Sequence, residues 1–114
     1  MIRILGVDPG LRHTGWGVIA MDGPRLTWIA HGVIKPDKDA DMADRLAELC
    51  EKLRAVVDAH APDEAAVEET FVNINPRSTL LLGQARGAAM ATLAGAGLKV
   101  AEFAATKVKQ SVVG

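Results

Sequence analysis

Two carboxylates follow short apolar segments in this chain, an arrangement that suits metal binding. Asp8 comes directly after Ile4–Val7, and Glu68 comes directly after Ala65–Val67. A lone carboxylate in an apolar environment costs roughly several kcal/mol unless a cation or hydrogen bonds compensate its charge. Carboxylate oxygens are the ligands that Mg²⁺ and Mn²⁺ prefer. The pair therefore predicts a divalent metal site, with the adjacent Glu69 as a lesser candidate because its side chain would point to the opposite face of a strand.

The elements around Asp8 are those of an N-terminal hairpin. The apolar run Ile4–Val7 predicts a strand that is buried on both faces. Pro9 and Gly10 predict a turn, after which Thr14–Ala20 returns as an antiparallel strand. Three interpretations of Asp8 fit this hairpin: an ordinary turn cap, a metal ligand of a ribonuclease H-like fold, or part of the phosphate-binding hairpin of the actin, sugar-kinase and Hsp70 class.

The rest of the chain predicts alternating helices and strands. The predicted elements after the hairpin are a strand at Leu26–Ile34, a helix at about Met42–His60, a strand at Glu64–Glu68, a helix at about Pro76–Ala94, a strand at Leu98–Phe103 and a helix at Ala104–Val113. This order predicts one α/β domain over residues 1–114, with a mixed five-stranded sheet flanked by helices. Its first three strands would form an antiparallel meander, and the fourth and fifth would be parallel. Asp8 and Glu68 would then lie side by side if their strands are parallel neighbours.

Composition places the chain among small soluble domains. Its 114 residues are 49% hydrophobic and include one cysteine, Cys50, which has no partner for an internal disulfide. This predicts a cytoplasmic protein without a membrane span. The net charge of −1 conceals an asymmetry, because residues 70–114 hold five Lys and Arg but one acid, Glu102. That balance favours a local basic surface for a polyanion such as a nucleic acid.

Several segments together resemble one protein family. These segments are Leu5–Gly10, Thr14–Gly15, Val67–Phe71, Leu82–Gly87 and Val108–Gly114. In this order they resemble the bacterial RuvC Holliday junction resolvases, over the chain from end to end. The Asp-Pro-Gly segment alone occurs in several nucleotide-binding folds, whereas its combination with Gly-Gln-Ala-Arg-Gly and Val-Lys-Gln is specific.

The resemblance implies a ribonuclease H-like homodimer that nicks two opposed strands of a four-way DNA junction. A complete active site would use two Mg²⁺ ions, with Mn²⁺ as an alternative. Asp8 and Glu68 match two catalytic acids of the family. Phe71 matches an aromatic residue that contacts junction bases, and Lys109 matches a basic residue at the rim of the active site. Lys107 and Arg77 are further candidates for DNA contact. Branch-migration motors and junction-binding proteins are the partners that the resemblance implies.

The chain departs from the family pattern in its last third. The family uses two further carboxylates on a helix near its C-terminus, whereas Glu102 is the only acid between Glu69 and Gly114. We therefore expect this chain to be a truncated form that lacks its C-terminal helices and is inactive as a resolvase.

Two alternative functions remain open from the sequence. One is a ribonuclease H-like nuclease that acts on RNA, as in ribosomal RNA processing, which shares the fold and the first aspartate. The other is an ATP-binding fragment of the actin and sugar-kinase class, which would need a second glycine-rich phosphate loop. Binding to four-way DNA, structured RNA and ATP would separate the three functions.

Overall fold

The computed structural model describes residues 1–69 and 75–103. Its elements are β1 (Ile2–Asp8), β2 (Thr14–Asp22), β3 (Arg25–Ile34), α1 (Met42–His60), β4 (Glu64–Glu68), α2 (Pro76–Gly95) and β5 (Lys99–Phe103). All seven were predicted, with bounds that differ by no more than two residues. The helix predicted at Ala104–Val113 lies outside the described residues.

The five strands form one mixed sheet in the order β3-β2-β1-β4-β5. Neighbours β1, β2 and β3 are antiparallel, as predicted for a meander. Strand β4 runs parallel to β1 on its other side, and β5 runs parallel to β4. The predicted α/β class with a mixed five-stranded sheet is confirmed, and β1 lies at the centre of the sheet.

The core lies between one face of this sheet and both described helices. The sheet contributes Leu5 and Val7 from β1 and Val67 from β4, and each is at most 2% exposed. Leu53 of α1 and Ala89 of α2 are fully buried in the same cluster. Burial of each Leu or Val side chain in this cluster stabilises the fold by roughly 1.5–3 kcal/mol, so the cluster holds the central strands in place.

The prediction that β1 is buried on both faces was wrong. Leu5 and Val7 are buried, but Ile4 and Gly6 are only half-buried, and Asp8 is exposed. The reason is that α1 and α2 pack on the same face of the sheet. Within residues 1–69 and 75–103, the opposite face of β1 borders an open groove.

Local hydrogen bonds fix the start of α2 and connect α1 to the segment before it. Helix α2 begins at Pro76 because Asn75 caps it, its side-chain oxygen accepting from the backbone N–H groups of Arg77 (3.0 Å) and Ser78 (3.3 Å). Helix α1 is joined to the segment before it through Glu48, which accepts a hydrogen bond from Lys52 and another from the backbone N–H of Asp37. These bonds lower the pKa of Glu48, on an exposed face away from the groove.

Candidate functional site

The sheet brings Asp8 and Glu68 to the same end of neighbouring strands. The parallel register of β1 and β4 pairs Val7 with Val67, so each carboxylate is the residue directly after a paired valine. Adjacent strands are roughly 4.8 Å apart. Asp8 and Glu68 also line the same groove. The sequence predicted that Asp8 and Glu68 would lie side by side if the first and fourth strands were parallel neighbours. These strands are parallel neighbours.

Exposure differs between the acidic residues at this end of the sheet. Asp8 is exposed, whereas Glu68 is half-buried. Glu69 follows on the chain, and its backbone N–H donates to the carbonyl of Phe103. Its side chain is exposed and is not part of the groove lining. This geometry favours Glu68 over Glu69 as the partner of Asp8.

The groove beside the two carboxylates has a volume of about 450 Å³ and is largely apolar. Gly6 and Gly17 pair across β1 and β2, so this part of its floor has no side chains. Trp28 lies over this floor, because a Cβ atom at Gly17 would be 3.1 Å from its ring. Phe103 lines the groove from β5, so exposed aromatic side chains of both outer strands, Trp28 and Phe103, border the same groove as the acids.

The loop between β1 and β2 is held rigidly beside Asp8. The hydroxyl of Thr14, which is fully buried, donates to the carbonyl of Gly10 (2.9 Å) and accepts from the N–H of Gly10 (3.2 Å). Arg45 of α1 donates to the carbonyl of Leu11 at 3.4 Å. A Cβ atom at Gly10 would lie 2.4 Å from the carbonyl oxygen of His13, so only glycine fits this close approach.

A second cleft, of about 400 Å³, opens on the loop side of Asp8. It lies between the loop and the first turns of α2, and it includes Arg12 and His13, both exposed. The sequence reasoning did not select these two residues. The basic residue types after the Asp-Pro-Gly turn were a signal that could have identified them.

The predicted nucleic-acid residues are only partly within the described structure. Arg77 is exposed in the first turn of α2. Phe71, Lys107 and Lys109 lie outside the described residues. Arg86, which adds to the basic balance of this half of the chain, forms an ion pair with Glu102 of β5 and donates to the sulfur of Met90. Its charge is therefore largely neutralised within the fold.

The donor chemistry at the sheet edge fits a hard divalent cation. Asp8 and Glu68 supply carboxylate oxygens, and the exposure of Asp8 leaves room for water and for a substrate phosphate as further ligands. No group of three or more His, Cys, Asp or Glu side chains suited to a metal occurs in the part of the chain that the structure describes.

Residues 4–114 match the protein family described as "Crossover junction endodeoxyribonuclease RuvC". The chain belongs to the RuvC family. The RuvC of Azorhizobium caulinodans is 64% identical over 114 residues, which are all of this chain and 68% of the relative. The RuvC of Caulobacter vibrioides is 61% identical over 112 residues, covering 98% of this chain and 66% of the relative.

A solved RuvC structure agrees with the sequence match. The Thermus thermophilus RuvC "in complex with Holliday junction substrate" superposes with a TM-score of 0.87 at 27% identity, over 96% of this chain and 67% of that one. The resemblance predicted a ribonuclease H-like sheet, and the sheet of this chain superposes on that of a RuvC protein. Family membership also favours a DNA endonuclease over the RNA-processing and ATP-binding alternatives. No helix in residues 1–69 or 75–103 has the length and apolar character needed to cross a membrane.

Proposed function

We propose that this chain carries the nuclease site with which a RuvC-type enzyme hydrolyses phosphodiester bonds in four-way DNA junctions. The observation that supports this most strongly is that Asp8 and Glu68 directly follow the paired residues Val7 and Val67 of two adjacent parallel strands and line one groove. A scissile phosphate can reach this position without unfolding any described element, because Asp8 is exposed and borders both clefts.

Asp8 and Glu68 are the residues that would hold Mg²⁺, or Mn²⁺ in its place. A pair of such ions supplies an activated water molecule and neutralises charge on the phosphoryl oxygens. Asp8 sits on the central strand, anchored by Leu5 and Val7 in the core, so its carboxylate needs little reorganisation. Glu68 is half-buried, which limits its conformational freedom beside Asp8. Two oxygen donors on neighbouring strands would therefore be in place beside the groove before substrate arrives.

Residues on both sides of this site would contact the DNA. Arg77 is an exposed cation in the first turn of α2, suited to a backbone phosphate. Phe71 would stack on a junction base, and Lys107 and Lys109 would contact phosphates at the rim, as the family resemblance implies. The Thermus thermophilus complex supports binding of junction DNA by this fold. Branch-migration motors and junction-binding proteins are proposed as partners of the same assembly.

We assign the homodimer contact to the outer face of α2. This helix buries Ala85, Ala89 and Leu93 in the core, yet several of its exposed positions are also small or apolar. The exposed members are Leu80, Gly83, Gly87, Ala91 and Ala94. Spacing of three or four residues places them along one side, where small side chains let a second helix approach closely. A two-fold contact there would present two sites to the opposed strands of a junction.

The variant Gly87→Glu is expected to be a folded monomer. A Cβ atom at Gly87 would meet nothing within 4 Å, so the substitution leaves the core intact. An unpaired carboxylate in a closed helix contact weakens association by roughly 3 kcal/mol, more than a hundredfold. Sedimentation velocity measures the change. Ala59→Glu, at an exposed position of α1, is the matched control and should remain dimeric. A dimeric Gly87→Glu variant would place the interface elsewhere.

Binding and cleavage assays test the proposed function separately. The 114-residue chain is titrated with a four-way DNA junction, linear duplex, structured RNA and ATP, and it should prefer the junction. Cleavage is measured in a chimaera, in which the part of the Azorhizobium caulinodans RuvC that matches this chain is replaced by residues 1–114 of this chain. With Mg²⁺ the chimaera should produce paired, symmetric nicks. Preference for structured RNA, or a chimaera that binds junctions but never cleaves them, would contradict the proposal.

A further inference from the structure

The loop Pro9–His13 places two basic side chains beside Asp8. Arg12 and His13 are exposed, and with Asp8 they line the cleft of about 400 Å³ described above. The opposite wall is formed by Ser78, Leu81 and Leu82 of α2. Among the described residues that line this cleft, Arg12 and His13 are therefore the basic ones.

Arg12 is available to bind a ligand. The ion pairs among the described residues join Lys52 with Glu48, Arg54 with Asp58, and Arg86 with Glu102, so Arg12 belongs to none of them. Its guanidinium is not paired with Asp8, although the two residues line one cleft. An exposed guanidinium next to acids is a favourable partner for the phosphate oxygens of a polyanion.

The loop that carries Arg12 is preorganised. Thr14 bonds both the N–H and the carbonyl of Gly10, and Arg45 donates to the carbonyl of Leu11. Pro9, at the start of the loop, is buried. Because these contacts fix the backbone on both sides of Arg12, a ligand that binds its side chain does not have to order the loop.

We propose that Arg12, with His13 beside it, binds a DNA phosphate adjacent to the one that is cleaved at Asp8. The inference rests on the proposed function, since it assigns a substrate contact to the same site. The arrangement of charges beside the site favours such a contact. The carboxylates of Asp8 and Glu68 repel a phosphodiester. The groove lies on one side of Asp8, and Arg12 supplies positive charge from the cleft on its other side. The contact sets the position of the strand and is independent of base sequence.

The test compares Arg12→Gln with Arg25→Gln, both measured for junction binding in EDTA so that cleavage does not interfere. Arg25 begins β3 at the end of the meander away from Asp8, and it is exposed like Arg12. We expect Arg12→Gln to weaken binding about tenfold at low salt. The slope of log K against log salt should become shallower by about one for each loop that contacts DNA. Arg25→Gln should alter neither quantity.

A second variant separates charge from geometry. Arg12→Lys keeps the charge but loses the planar fork, so it should restore the salt slope and recover only part of the affinity. The inference is overturned if Arg12→Gln matches Arg25→Gln in affinity and slope while the unmodified chain binds the junction. If the unmodified chain shows no preference for the junction, the proposed function itself fails, and the inference fails with it.

Discussion

Asp8→Asn is expected to abolish cleavage in the chimaera while leaving junction binding close to that of the unmodified protein. The amide has nearly the same shape as the carboxylate but lacks the negative charge that holds a divalent cation. Loss of this ligand should lower the rate about a thousandfold or more, equivalent to roughly 4 kcal/mol of transition-state stabilisation. Because Asp8 is exposed and lies outside the buried core, the melting temperature should stay within a few degrees.

Metal affinity gives a readout that does not require cleavage. Titration of the 114-residue chain with Mn²⁺, followed by electron paramagnetic resonance, should show weaker binding in Asp8→Asn. The matched control is Asp22→Asn, an exposed aspartate at the far end of β2. It should bind Mn²⁺ as the unmodified chain does. Cleavage by Asp8→Asn within a few-fold of the unmodified chimaera would remove Asp8 from the mechanism.

Gly10→Ala should destabilise the protein and also impair junction binding. The new Cβ atom would lie 2.4 Å from the carbonyl oxygen of His13, so the backbone of the loop must shift. That shift stretches the two hydrogen bonds between Gly10 and Thr14. We expect the free energy of unfolding to fall by roughly 1–3 kcal/mol. This corresponds to a decrease in Tm of roughly 4–8 °C per kcal/mol, measurable by thermal denaturation.

Gly95→Ala provides the control for Gly10→Ala. Gly95 ends α2, and a Cβ atom there would contact nothing within 4 Å. Alanine is favoured over glycine in a helix by up to about 1 kcal/mol, so this variant should be neutral or slightly stabilised. An unchanged Tm for Gly10→Ala would show that the loop tolerates a side chain and is less rigid than its contacts indicate.

The secondary structure could be predicted because local signals mark each element. Leu49, Leu53 and Val57 follow one face of α1 at helical spacing, and all three are buried. Pro76 begins α2 as its position in the sequence indicates, with Asn75 as its cap. These signals depend on residues close together in the chain, so single-sequence reasoning is enough to identify them.

The covering of the sheet could not be predicted from the same signals. The run Ile4–Val7 is apolar at every position, which is compatible with burial on one face or on both. The choice depends on which face each helix packs against, and α1 and α2 share one. The sequence also did not identify Trp28 and Phe103 as residues of the groove. They line the same groove only because of the order of the five strands in the sheet.

The pairing of β1 with β4 also has a consequence for the order of folding. Asp8 pairs with Gly15 of β2 within the hairpin. This contact closes only a short loop, so it can form early. The approach of Asp8 to Glu68 requires Leu5 to pair with Ala65, so a chain segment of about 60 residues must be closed first. Such a contact between residues distant in sequence is slow to form. Recovery of metal affinity during refolding would therefore report the late closure of the central strands, after the hairpin has already acquired its protection from hydrogen exchange.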